Sequence, residues 1–189
     1  YGGKKYFSPY GNPRLKDGPP GEHLPARLAR ETVKFIEANR KRPFLAYLSF
    51  YSVHTPLIAR KDLRQKYQAK RKSLDARAVA GEFSRKEHLR RVRTLQAHAV
   101  YAGMIEAMDA AVGTVLGGLK RLGVDRNTVV FFMSDNGGLS TSEGHPTSNL
   151  PLRGGKGWIY EGGIREPMIV RWPGVTTAGS VCDQVVTST

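Results

Sequence analysis

The chain has 189 residues, 40% of them apolar, which is enough for one domain with a core and too apolar for a disordered segment. Thirty basic residues against sixteen acidic ones give a formal charge of +14, which attracts polyanions in general: nucleic acid, an anionic membrane or a sulfated polysaccharide. The sequence holds no RNA-binding signature, zinc-finger spacing or aromatic-interleaved basic motif, so nucleic acid is not the expected partner, and no apolar run approaches the length of a membrane span.

Residues 1–21 are rich in Gly, Pro, Tyr and Lys without period and read as a loop. They begin with neither an initiator Met nor a signal-peptide core, so the chain reads as if cut from something longer. Pro25 suits the first turn of a helix that continues through Leu28, Val33, Phe35 and Ile36 and ends near Asn39. Arg40, Lys41 and Arg42 then favour the negative end of its dipole, and Pro43 stops it.

Residues 44–50 form an apolar candidate strand. It leads into Tyr51-Ser52-Val53-His54-Thr55-Pro56, where Pro56 holds Thr55 extended and so fixes the loop carrying His54. A loop histidine of this kind is usually structural or surface-exposed. Residues 59–93 are strongly basic and read as a solvated, partly helical insertion or loop segment, with a polyanion-concentrating rim as the functional alternative. The clearest helical period follows over 95–122, where Tyr101, Met104, Ile105, Met108, Val112, Val115, Leu116 and Leu119 share a broad apolar face. Gly113, Gly117 and Gly118 weaken this helix, and close packing on a sheet would explain them. Gly123 is a plausible stop.

Residues 129–133 are a continuous β-branched and aromatic run, which predicts a strand buried on both faces. It ends abruptly in Ser134-Asp135-Asn136-Gly137-Gly138. In an open α/β sheet, ligands sit outside the carboxyl ends of the strands, so Asp135 and Asn136 are candidate metal or anion contacts. A carboxylate beside an amide oxygen supplies hard donors, which suit calcium or magnesium better than zinc. Downstream, Lys156 lies in Arg153-Gly154-Gly155-Lys156-Gly157, where glycines let backbone approach a bound group and the ammonium can meet an oxyanion. His145 has no role the sequence fixes, and Arg153 and Arg165 read as structural partners of nearby carboxylates, Glu161 or Glu166. A last apolar strand is expected near 168–171. Cys182 is the only cysteine, so no internal disulfide forms, and its side chain reads as small and partly buried.

Each motif alone is weak, because Asp-Asn-Gly is usually only a turn. In order, Ser134-Asp135-Asn136-Gly137-Gly138, then Leu152-Arg153-Gly154-Gly155-Lys156-Gly157, then Tyr160-Glu161-Gly162-Gly163-Ile164-Arg165-Glu166-Pro167 resemble the type I, formylglycine-dependent sulfatases of the alkaline phosphatase superfamily. The resemblance implies an α/β fold with a mostly parallel or mixed sheet and helices on both faces, incomplete here, because residues 1–189 match only the second half of the catalytic domain. It implies calcium as cofactor, with Asp135 and Asn136 as two of its ligands, and Lys156 and His54 as catalytic contacts to the sulfate. The formylglycine nucleophile is expected in the missing N-terminal part, since Cys182 lacks the Cys-x-Pro-x-Arg context, and this chain alone is then expected to be inactive.

The implied activity is release of sulfate from a sulfated carbohydrate or an aryl sulfate, in the periplasm, outside the cell or in the lysosome. An inactive remnant that only binds polyanions is the alternative. A phosphoesterase of the same superfamily is a lesser one, disfavoured because related phosphatases tend to carry histidine where Asn136 stands.

Overall fold

The computed structural model describes residues 6–187. Its centre is a three-helix layer: α1 (Leu24–Asn39) and α2 (Lys61–Lys72) both pack on the long helix α4 (Ala99–Arg121). α4 starts where the His98 side chain accepts the Tyr101 N–H at 3.2 Å and ends where Gly123 turns left-handed at φ 71°. Its buried residues are Gly103, Met104, Ala107, Ala111, Gly118 and Leu119, and those of α1 include Ala29, Val33 and Ile36.

The small residues of α4 bring the helices close together. A Cβ on Gly118 would lie 2.7 Å from Cγ2 of Val33, and one on Gly103 would lie 3.1 Å from Cβ of Ala59. The close packing expected against a sheet is therefore packing against helices, and Gly113 and Gly117 have nothing within 4 Å. α4 is also long and apolar enough, by length and composition, to cross a membrane. A helix on which α1 and α2 pack meets the same test, and alanines together with Val, Leu, Ile and Met supply its hydropathy.

The basic segment after α2 continues through a short helix α3 (Ala76–Ala80) into a hairpin of β1 (Arg85–Glu87) and β2 (Arg90–Val92), paired antiparallel with Glu87 opposite Arg90. Its inner face is buried at Glu87 and Val92. After α4 a single 3-10 turn, Asp125–Asn127, leads to β3 (Val130–Met133). β3 pairs antiparallel with β4 (Met168–Arg171), Phe131 facing Val170 and Met133 facing Met168. The one-turn helix α5 (Glu161–Ile164) precedes β4.

Three expectations need correction. β3 is not buried on both faces: Phe131 is 61% exposed and Met133 48%, because only β4 pairs with it among the described residues. Residues 44–50 join no ladder there, and Leu45 and Tyr47 are about nine-tenths exposed at 88% and 90%. An apolar run becomes a strand only when a neighbour accepts its hydrogen bonds. Cys182 is exposed rather than partly buried, in a terminal stretch without helix or strand.

The described part of the first 21 residues is a loop, as expected, but a packed one. Tyr6 and Tyr10 are buried, and Phe7 bridges to His23. Residues 1–5 of that segment lie outside the described residues.

Candidate functional site

The three glycine motifs meet. The Gly137 N–H donates to the Gly163 carbonyl at 3.1 Å, the Lys156 N–H to the Gly138 carbonyl at 3.2 Å, and the Gly162 N–H to the Arg153 carbonyl at 2.7 Å. Backbone lies directly on backbone here, and that is what the glycines permit. A Cβ on Gly137 would stand 1.8 Å from the Gly162 carbonyl oxygen, one on Gly155 2.4 Å from that of Gly138, and one on Gly163 2.1 Å from that of Trp158. None of these three has a positive φ, so the requirement is for space and not for backbone conformation.

Asn149 secures the junction. Its Nδ2 donates to the Gly138 carbonyl at 2.8 Å and to the Gly154 carbonyl at 3.0 Å, and the buried Ser140 hydroxyl adds a bond to Gly154 O at 3.0 Å.

This lattice brings the turn carrying Asp135 and Asn136, at the carboxyl end of β3, beside the loop carrying Lys156. The Asn136 Nδ2 donates to the Gly137 carbonyl at 3.0 Å, which leaves its Oδ1 free as a donor to a cation. Asp135 is exposed and makes no hydrogen bond or ion pair among the described residues. Nearby, burial and then the Asp135 charge raise the Glu166 carboxyl above its usual range. The Asp135 carboxylate beside the Asn136 amide oxygen supplies hard-oxygen donors, and that chemistry fits a calcium-type ion. Among the described residues no three His, Cys, Asp or Glu side chains converge as a complete metal site.

His54 sits apart from this lattice. No hydrogen bond or ion pair joins it to Asp135, Asn136 or Lys156 among the described residues, and the Thr55 hydroxyl of its loop donates to Glu143 at 3.0 Å. The Tyr6 hydroxyl holds the loop from behind by donating to the Tyr51 and His54 carbonyls at 3.1 and 2.7 Å. His54 Nδ1 lies 2.9 Å from the Thr55 carbonyl, which can only accept, so Nδ1 carries the hydrogen and the exposed Nε2 is the exchangeable position.

The basic hairpin closes the back of the site. Glu87, only 4% exposed, accepts the Gly154 N–H through Oε1 at 3.3 Å. Arg71 binds Glu82 through both terminal nitrogens, at 2.9 and 3.0 Å, and Arg93 donates to the same carboxylate at 2.7 Å. Arg93 also takes the His145 carbonyl and donates its backbone N–H to Ser140, which ties the hairpin to the loop that follows Gly138. His145 thereby gains a structural position, with its ring edge-on to Phe83. Arg165 pairs with Glu161 as expected, but the partner of Arg153 is Glu87 rather than Glu161 or Glu166. Tyr6, Glu87 and Asn149 carry no motif that would have marked them, because each acts through a contact across the fold.

The glycine lattice thus sets the turn at the carboxyl end of β3 against the Lys156 loop, and solved structures share the overall fold. Ps i-CgsB, in its crystal structure with k-i-k-neocarrahexaose, is 31% identical with a TM-score of 0.63 over 85% of this chain, and a second Ps i-CgsB structure gives 0.65 over 88%. These neighbours are sulfatases of the alkaline-phosphatase-like α/β class, in agreement with the fold read from sequence. The chain belongs to the sulfatase family, whose model matches residues 1–189. It is 40% identical over 90% of its length to a sulfatase of Formosa agariphila, and 36% identical over 85% to the steryl-sulfatase of Rattus norvegicus. It spans 28% and 24% of those two proteins, about a quarter of the length of the relatives it matches.

Proposed function

We propose that the full-length protein is a sulfuric ester hydrolase acting on a sulfated carbohydrate or an aryl sulfate. Asp135, Asn136 and Lys156 would form part of its cation and sulfate site. The observation that carries this reading is the bond from the Lys156 N–H to the Gly138 carbonyl, which fixes an oxyanion-seeking ammonium loop against a hard-oxygen donor turn. Family membership and the names of the relatives support the reaction class.

Asp135 and Asn136 would hold calcium, the donor chemistry matching that ion. Bound there it would polarise the sulfate oxygens, with a formylglycine supplied elsewhere in the protein as nucleophile. The Lys156 ammonium would stabilise negative charge growing on the sulfate oxygens. His54, with Nδ1 committed to the Thr55 carbonyl, would deliver a proton from Nε2 to the departing alcohol oxygen. The glycine lattice would keep Lys156 in register with the donor turn, so that no binding energy goes into assembling them.

Assay of the full-length protein with a chromogenic aryl sulfate and the matching aryl phosphate, before and after calcium chelation, tests this reading. Sulfate ester turnover that falls on chelation and returns with added calcium supports it. Preference for the phosphate ester would replace it with the phosphoesterase reading.

A further inference from the structure

Three arginines surround the buried Glu87 and use none of their side-chain donors in hydrogen bonds among the described residues. Arg85 Nη2 lies 3.4 Å from Glu87 Oε1 and Arg153 Nε 3.5 Å from Oε2, ion-pair distances without bonding geometry, and Glu87 Oε2 has no hydrogen-bond partner. Arg90 stands opposite Glu87 in the hairpin register, on the same face, because directly paired residues of an antiparallel ladder point the same way. The carboxylate is 3% exposed, whereas the Arg85 and Arg153 side chains are 43% and 51% exposed. A single sunken negative charge therefore lies beneath three outward guanidinium groups.

One of these groups is held rigid. The Arg153 guanidinium rests 3.8 Å over the Tyr160 ring, Tyr160 stacks on Trp158, and Trp158 stacks on His88 at the hairpin turn. The Trp158 indole N–H donates to the Thr141 hydroxyl at 3.0 Å, which anchors the stack. A guanidinium with its face covered, its Nε toward Glu87 and its two terminal nitrogens outside any hydrogen bond among the described residues is preorganised to fork an oxyanion. Arg153 is three residues from Lys156 on the same loop.

We propose that Arg85, Arg90 and Arg153 form a second anion subsite, which takes another sulfate or carboxylate group of the same carbohydrate whose scissile sulfate meets Lys156. The substrate is then a polyanionic glycan rather than a singly sulfated aryl or lipid ester. This rests on the hydrolase reading for its catalytic half and on the arginine geometry for its binding half.

Calorimetry of the full-length protein with a heparin tetrasaccharide, and with its fully desulfated, N-acetylated counterpart, tests the binding half. Arg85→Ala, Arg90→Ala and Arg153→Ala should each weaken the sulfated probe about tenfold or more, as loss of a charge-assisted contact does. Lys120→Ala, which removes the same charge from the exposed last turn of α4, should change it less than twofold. Equal effects at all four positions would mean diffuse electrostatics and would overturn the subsite, as would equal binding of the desulfated probe.

If Arg153→Ala fails to fold, the exposed hairpin variant Arg90→Ala decides. Sulfate release by the wild type, from an aryl sulfate and from the heparin tetrasaccharide, is scored separately. Its absence would overturn the hydrolase reading while the calorimetric ratios still decide the subsite.

Discussion

Substituting Gly155 by Ala adds one methyl group where the structure has no room for it. The new Cβ would lie 2.4 Å from the Gly138 carbonyl oxygen and 2.7 Å from both Asn149 Nδ2 and Ser140 Oγ. Gly155 has no positive φ, so the whole effect is steric and none of it is backbone strain. Relief requires the Lys156 loop to move off the Asp135–Asn136 turn by roughly 1 Å, since carbon and oxygen rest about 3.4 Å apart or more. That movement breaks the bond from the Lys156 N–H to Gly138 and the Asn149 clamp, each contributing about 1 kcal/mol. Overpacking adds about 1–3 kcal/mol, so a loss of roughly 3–5 kcal/mol is expected.

If the loop positions Lys156 on sulfate, a displacement of that size should also lower kcat/KM for an aryl sulfate by about a hundredfold. Chemical denaturation and steady-state kinetics of the full-length protein read the two effects. Wild-type stability together with wild-type turnover would refute the claim that this contact assembles the site.

Further outcomes follow from the same structure. Gly113 has nothing within 4 Å of its would-be Cβ, so Gly113→Ala should stabilise the protein by about 0.5–1 kcal/mol, read as a higher denaturation midpoint. Burial lowers the His23 imidazole from 6.5 to about 4, and its Nε2 has no hydrogen-bond partner. Its folded pKa lies below its unfolded one, so neutral His23 contributes stability fully above pH 6.5, and this is lost as pH falls toward 4. At about 1.4 kcal/mol per pH unit the upper bound is on the order of 3 kcal/mol. His23→Phe should therefore flatten the fall in stability between pH 7 and 4, and an unchanged slope would contradict the assignment. Asn149→Ala removes bonds to the Gly138 and Gly154 carbonyls and should cost about 2–3 kcal/mol, with a larger fractional loss of turnover than Gly113→Ala.

What the sequence reveals here is what local pattern encodes. The 3.6-residue period and Gly123 place α4 and its end, and Pro25 and Pro43 bracket α1. The turn after β3 is visible because Ser134 to Gly138 are consecutive. The reason for the glycine pairs is not visible, because Gly137 meets Gly162 across 25 residues and the clash appears only once the chain is folded. Glu87 reaches Gly154 across 67 residues, and Tyr6 reaches His54 across 48, with no periodicity to announce either. The apolar runs at 44–50 and 129–133 both read as strands, the second as one buried on both faces. Only the second is a strand, and neither is covered, because apolar composition specifies a preference for burial while the covering neighbour must come from elsewhere in the fold.

The most direct test of the central claim is kcat/KM for an aryl sulfate, measured on the full-length protein and on its Lys156→Ala variant. Loss of one donor to developing oxyanion charge predicts a fall of about a hundred- to a thousandfold with the fold intact. Turnover within threefold of wild type would show that Lys156 does not contact the reacting sulfate, and the proposed site would then be wrong.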